Sequence, residues 1–291
     1  MAKKTLPSQK ALKAPLKQPV MADLKAIFGL EPKIAVEYMK SKGYAITWAW
    51  QDMLDEAHDQ AFTVAKAMRL DLLSDIRAAL ETALQDGQTL PQFIKTLQPT
   101  LETQGWWGKQ GVVDSQGNVE MVQLGSPRRL KTIYQTNLQS AYMAGRKASM
   151  EETADTHPYW RYVAILDGKT RASHRALSGK VYRHDDPVWS AIYPPNGFNC
   201  RCRVTALTEA ALKRKGLVVD TSAGRMQTET VETGTNMRTG EIRTAQVTAV
   251  RTTNAGGQVV LFRTDPGFNH APGTGLSAVL KTKQAKATQR D

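Results

Sequence analysis

The sharpest chemical signal in the chain is Cys200-Arg201-Cys202, which holds both cysteines of the 291-residue sequence. On a β-strand, side chains i and i+2 point to one face, so both sulfurs would meet one ligand while Arg201 and Arg203 face away. A tetrahedral zinc site needs two further donors. His174, on a predicted short helix nearby, is the best third candidate, and Asp167, His184 or Asp185 could supply a fourth. The alternative is a pair of buried thiols packed as small hydrophobes; a disulfide across one intervening residue would be strained. Asp167, His174, His184, Asp185 and Asp186 also hold the ingredients of a hydrolase, which needs imidazole and carboxylate within hydrogen-bond reach. Against that, Asp167-Gly168 is a turn signal, and Asp185-Asp186-Pro187 reads as the start of a short helix containing Trp189. No phosphate-binding loop, nucleophile elbow, His-Glu-x-x-His or dinucleotide fingerprint occurs.

The elements that must position these residues follow from periodicity. From Pro32, Ile34, Ala35, Tyr38 and Met39 recur with helical spacing, and Gly43 is placed to stop that helix. The pattern predicts helix from about Gln51 to Arg69, with Met53, Leu54, Ala57, Ala61, Val64 and Met68 on one side, and again over Asp71–Gln85. Thr89-Leu-Pro-Gln92 resembles a capping box that opens a further helix carrying Phe93, Ile94 and Leu97. Gly105-Trp-Trp-Gly108 is an aromatic turn, and the valines flanking Asp114-Ser-Gln-Gly117 predict a β-hairpin. Ser126 as N-cap and Pro127 at the first helical position start a strong helix that runs to Arg146. Its apolar face carries Leu130, Ile133, Tyr134, Leu138, Ala141 and Tyr142, together with Asn137, which if buried would need a partner. After His157-Pro158 the spacing predicts strands at Tyr159–Leu166, Lys180–Tyr182 and Cys200–Leu207 around a helix at Ser173–Leu177. Strand-like runs at Ile242–Val250 and Gln258–Arg263 follow.

The reading is therefore α+β: a mainly helical N-terminal part, a small α+β module, and a strand-containing, partly irregular C-terminal region. The predicted boundaries are a disordered basic tail at 1–20, a helical region at 21–157 with a hairpin near 110–123, the module at 158–210, an extension at 211–274 and a basic tail at 275–291. A unit of about fifty residues has little core of its own and would gain from a metal or from its neighbours.

The formal net charge of +12 is unevenly spread: residues 1–20 hold five lysines and no acid, and the two tails together carry +8. Basic ends on a near-neutral body suit either polyanion contact or simple solvation. No apolar run approaches the ~18 residues of a membrane span, and the basic N-terminus lacks the apolar stretch of a secretory signal. Two cysteines exclude a disulfide scaffold and fit a reducing compartment. Six tryptophans could stack on nucleotides, but more often such residues anchor cores and protein interfaces. Arg128, Arg129, Lys131 and Arg146 are placed to contact phosphate, acidic protein surfaces or only water.

Three segments in order, Asp167-Gly-Lys-Thr-Arg-Ala-Ser-His174, Leu177-Ser-Gly-Lys-Val-Tyr182 and Pro194-Pro-Asn-Gly-Phe-Asn-Cys-Arg-Cys202, resemble the phage Mu F-like head morphogenesis family. Gly105-Trp-Trp-Gly108, Gln123–Leu130, Thr136–Arg146 and Asp265-Pro-Gly-Phe-Asn-His-Ala-Pro-Gly273 extend the resemblance over roughly residues 24–275. It implies a minor head protein of a tailed bacteriophage, without enzymatic turnover, acting in procapsid assembly and DNA packaging or delivery at the portal vertex. The implied partners are the portal protein, other head proteins and, through the basic tails, packaged DNA, with no membrane. The implied location is the virion, and the host cytoplasm during assembly. Relatives often carry Cys-x-x-Cys where this chain has Arg171 and His174, which with the Cys-x-Cys makes a four-thiolate zinc site. Here Arg171 replaces one thiol, leaving His174, Cys200 and Cys202 as the metal candidates. The competing expectations are a metal-dependent nuclease or hydrolase centred on His174, and a DNA-binding packaging module.

Overall fold

The computed structural model describes residues 32–113, 119–236, 239–254, 256–274 and 276. The tail at 1–20, the tail at 275–291 apart from Leu276, and the hairpin turn Asp114–Gly117 lie outside the described residues. The chain is α+β, with a helical first half followed by small antiparallel sheets.

Helix α1, Pro32–Ser41, leads into strand β1, Gly43–Tyr44. A 3-10 turn at Trp50–Asp52 and a single helical turn α2, Ala57–Gln60, precede β2, Ala61–Phe62, which pairs in parallel with β1. The helix expected over Gln51–Arg69 is therefore mostly absent. Asp55 and Lys66 adopt φ of 51° and 65°, which interrupts any helix there. Phe62 and Val64 are buried with period two, while Met68 is exposed. The carboxylates of the segment bond outside it: Asn269 N–H donates to Asp55 (2.9 Å) and Gly273 N–H to Asp59 (3.0 Å). Tertiary partners have overridden a weak helical period.

Helices α3, Leu70–Asp86, and α4, Leu90–Thr103, follow as expected. Thr89 N–H donates to Gln92 Oε1 (2.8 Å) in the capping arrangement at the start of α4. The hairpin of β3, Lys109–Val113, and β4, Val119–Gln123, leads into α5, Pro127–Glu152, capped by Ser126 Oγ, which accepts from Arg129 N–H (3.2 Å). On α5 the expected apolar face is buried, and Met143, Ala144, Gly145 and Ala148 are buried as well. Helix α1 packs on α5 and α3, and α4 packs on α3 and α5. Each fully buried leucine-sized side chain here contributes roughly 1.5–3 kcal/mol.

Strand β5, Tyr159–Val163, is the centre of a three-stranded antiparallel sheet. Its neighbours are β6, Val181–Arg183, and β7, Arg203–Leu207. Between them lie α6, Ala172–Leu177, and α7, Trp189–Ile192. Trp160, Tyr182, Trp189 and Tyr193 form one buried aromatic cluster. Trp106 is buried too, with Nε1 donating to Lys66 O (2.9 Å), so these tryptophans serve the core. Helix α8, Glu209–Arg214, connects to a second antiparallel sheet of β8, Met226–Thr235, β9, Ile242–Thr253, and β10, Val259–Arg263, with β9 central. Strand β8 escaped the sequence pattern because it is largely exposed and rich in Thr and Glu.

The buried amide of α5 is not Asn137. Asn137 is half-buried and donates to Ile133 O within its own helix (2.9 Å). Gln139 is the buried one, and its Nε2 donates to Cys202 O (2.7 Å), fastening the helical half to the segment before β7. Arg129 and Arg146, read as phosphate candidates, donate to main-chain carbonyls: Arg129 to Gln123, Leu124 and Ala65, Arg146 to Val204.

Two substitutions test these joints. A Cβ at Gly125 would lie 2.4 Å from Trp106 O and 2.4 Å from the Trp107 ring. Gly125→Ala should therefore cost about 1–3 kcal/mol through overpacking, read as a lower midpoint in thermal unfolding. Gln139→Ala leaves the Cys202 carbonyl buried without its partner, and urea unfolding should show a loss of about 1–3 kcal/mol.

Candidate metal centre

His174, Cys200 and Cys202 come together as a buried trio. His174 Nδ1 lies 3.8 Å from Cys200 Sγ and 3.5 Å from Cys202 Sγ, and all three donor atoms fall within 4.8 Å of one another. No other cluster of three or more His, Cys, Asp or Glu donors occurs among the described residues.

The route to this geometry differs from the expected one. The cysteines do not lie on a strand, since β7 begins at Arg203. They sit on the irregular approach to it, where Asn199 has φ of 60° and Cys200 N–H donates to Gly197 O (3.1 Å). Arg201 nevertheless turns to Asp167 rather than to the sulfurs. Its guanidinium grips both oxygens of Asp167 (2.8 and 2.6 Å). Asp167 in turn accepts from Lys169 N–H (3.0 Å) and Thr170 Oγ1 (3.2 Å), which shapes the turn entering α6. The middle residue of Cys-Arg-Cys thus fixes the element that carries His174. Arg201 also holds the Asp167 carboxyl well below the usual carboxylate range.

Asp167 is therefore spent on Arg201, and neither of the other proposed fourth donors reaches the trio. His184 packs beside the Trp160 ring at 6.3 Å, and Asp185 pairs with Arg183 at 3.0 Å. Asp186 accepts from Val188 N–H (2.9 Å) and from Ser222, so it serves α7 and the chain after α8. The imidazole and the carboxylates of the hydrolase reading are separately engaged.

Residues outside the sequence-based candidate list complete the surroundings. Asn196, fully buried, accepts from Tyr162 OH (2.9 Å) and donates to Ala191 O (3.3 Å), while its carbonyl accepts from Asp265 N–H (3.1 Å). Arg171 pairs with Asp265 (2.9 Å), donates to Phe198 O (3.3 Å) and places Nη1 3.5 Å from His174 Nε2. A Cβ at Gly197 would lie 2.1 Å from Asp265 Oδ2, so only glycine lets this pair close over the trio. The Phe262 ring of β10 lies 5.4 Å from the imidazole. The signal for Asp265 was its own Asp-Pro-Gly motif, but nothing local tied that motif to a position almost a hundred residues earlier.

The donor set fits a soft divalent ion. Zinc bonds of ~2.0–2.1 Å to nitrogen and ~2.3 Å to sulfur set tetrahedral N···S edges near ~3.6 Å, between the two separations found here. The second shell fits less well. A metal-bound imidazole usually donates its other N–H to a carboxylate or carbonyl, whereas Nε2 here faces a guanidinium. Without metal, hydrogen bonds from Cys202 and then His174 lower the Cys200 thiol, and the hydrogen bond with Cys200, together with burial, raises Cys202.

Residues 74–205 match the family described as Phage Mu protein F like protein, a stretch that takes in most of α3, all of α5 and the whole trio. The chain is 49% identical over 264 residues to the putative capsid assembly protein F of Escherichia phage Mu, covering 90% of this chain and 58% of that protein. It is 45% identical over 246 residues to the Mu-like prophage FluMu F protein of Haemophilus influenzae, covering 83% of this chain and 57% of that protein. The chain thus spans under three-fifths of the length of these relatives. No solved structure matches it. A family match centred on α5 and the trio, with near-half identity along most of the sequence, makes the chain a member of the phage Mu F-like protein family.

Proposed function

We propose that this protein is a structural component of head morphogenesis in a tailed bacteriophage. The observation that carries the proposal is the 49% identity, over 90% of the chain, to a protein named for capsid assembly. The fold agrees with a scaffold role. Its donor trio is buried, and the residues of the hydrolase reading are tied into turns and ion pairs. At the finer level, the protein acts at the portal vertex with the portal protein and other head proteins, in procapsid assembly and DNA packaging or delivery. It works in the host cytoplasm during assembly and remains in the virion. The basic tails touch packaged DNA through sequence-independent, salt-sensitive contacts. No helix among the described residues is long and apolar enough to cross a membrane.

A second reading concerns the trio. His174, Cys200 and Cys202 hold a structural zinc ion, supported by their near-tetrahedral donor spacing. The ion would supply a staple between α6 and the segment before β7. Arg171 weakens this site by placing positive charge beside it and by occupying Asp265, the nearby carboxylate that could accept from Nε2–H.

Three outcomes are expected. In an infection where a nonsense codon removes this protein, electron microscopy should show DNA-filled heads reduced at least roughly tenfold; normal heads in normal number would end the assembly reading. Purified protein should carry about one zinc per chain by elemental mass spectrometry. Cys200→Ser with Cys202→Ser should lose the zinc along with thermal stability, whereas a metal-free wild type rejects the staple. Arg171→Gln should retain zinc against a chelator longer than wild type does, since it removes the competing charge and releases Asp265.

A further inference from the structure

We propose that a groove along α5, lined by none of the trio His174, Cys200 and Cys202, binds an acidic peptide segment with apolar anchors, contributed by a partner protein. The groove encloses about 530 Å³ between α5, the irregular segment after β1 and the loop after β10. Its helical wall is the stripe Arg129, Thr132, Ile133, Thr136, Asn137 and Ser140, which repeats at i, i+3, i+4, i+7, i+8 and i+11. At 1.5 Å per residue that stripe runs ~16 Å, the length of about five residues of extended chain. An elongated site of this kind fits a peptide better than a compact metabolite.

Charge selects the peptide's chemistry. The wall carries Lys42, Lys66, Arg129, His58 and His270, and no Asp or Glu. Lys42, Lys66 and Arg129 belong to none of the ion pairs found among the described residues. Lys42 is buried and rests over the Tyr38 ring at 4.2 Å, with Nζ donating to His58 O. Arg129 stacks on Trp106 at 4.7 Å and has only carbonyls as partners. Asp59 stands behind the wall, occupied by Tyr38 OH (2.5 Å), Gly273 N–H (3.0 Å) and His270 (3.6 Å). Burial, and after it the charges of Lys42 and His270, push His58 down to about 4, so His58 adds no charge to the wall near neutral pH.

A further observation points to an occupant. At the mouth, Trp50 and Phe198 are exposed and meet edge to face at 6.3 Å, and Phe198 meets Phe268 at 4.9 Å. An exposed aromatic rim above a mostly apolar floor is the usual anchor of a peptide side chain. A nucleic acid suits the site less. Lys42 is buried and the lining is mostly apolar, whereas a phosphate backbone seeks cations along an exposed rim.

The site rests on its own geometry; only the source of the segment, another head protein, rests on the assembly reading. The test is selection of a random heptapeptide library on the immobilised full-length protein, repeated on Thr132→Glu with Asn137→Glu, which places carboxylates in the groove. Selected peptides should carry Asp or Glu beside Leu, Phe, Tyr or Trp. They should bind the variant at least roughly tenfold more weakly, and wild type more weakly at about 0.5 M salt. The variant should melt like the wild type; if it does not fold, Ser140→Asp alone repeats the comparison. The proposal is overturned by peptides without acidic bias or by equal binding to the variant. It is equally overturned by displacement of the peptide by a short thymidine oligonucleotide, or by a synthetic peptide of residues 21–31 that outcompetes the selected ones. Loss of head assembly without peptide binding would leave the assembly reading standing and remove this one.

Discussion

Helix α5 has to satisfy neighbours on several sides at once, and the rest of the structure is arranged around that demand. Its 26 residues span ~39 Å. One side closes the core against α1, α3 and α4. Another sends Gln139 across to the carbonyl of Cys202. A third, the stripe from Arg129 to Ser140, polar except for Ile133, lines the groove. A helix used this way cannot show a clean two-sided pattern, which is why small residues such as Ala144 and Gly145 are buried beside its long apolar ones. At Gly145 an added Cβ would already be 3.4 Å from Ile34 of α1, so the close approach of the two helices depends on small side chains there.

The two halves are joined by polar contacts rather than by apolar packing alone. Asp55 and Asp59 accept from main-chain N–H groups of Asn269 and Gly273, more than two hundred residues away. Asp52 pairs with Arg243 at 2.8 Å, and Gln51 donates to Thr233 O at 3.0 Å. These contacts explain why residues 43–69 give up helical structure. Their carboxylates are worth more as partners for buried main-chain donors than on an exposed helical face, because an unpaired buried N–H costs about 1–3 kcal/mol. The same contacts bring the loop after β10 against α5 and so form the groove.

The cysteine–histidine trio obeys a related logic. Arg201 on one side and Arg171 on the other each bind a carboxylate, Asp167 and Asp265, and each pair holds a loop in place around the donors. Cationic side chains therefore do positioning work at a site whose own chemistry is anionic or metal-binding. A chain with a thiol at position 171 would trade that ion pair for a fourth soft ligand. With Arg171 the site keeps three donors and a charge that opposes a divalent ion.

The sequence by itself determined the elements whose signals are local. The caps at Thr89 and Ser126, the Pro starts, the pairing of β3 with β4 and the periodic faces of α3, α4 and α5 all follow from interactions within a few residues. It also named His174, Cys200 and Cys202 as partners from donor chemistry. Only tertiary structure decided the rest. Gln139 rather than Asn137 became the buried amide, Asp167 went to Arg201 rather than to His174, the Gln51–Arg69 stretch unwound, and β8 formed from an exposed Thr-rich run with no apolar alternation. The physical reason is common to all four. A polar group's partner is chosen by which donor or acceptor the folded chain brings within about 3 Å, and that depends on residues too distant in sequence for any local pattern to register.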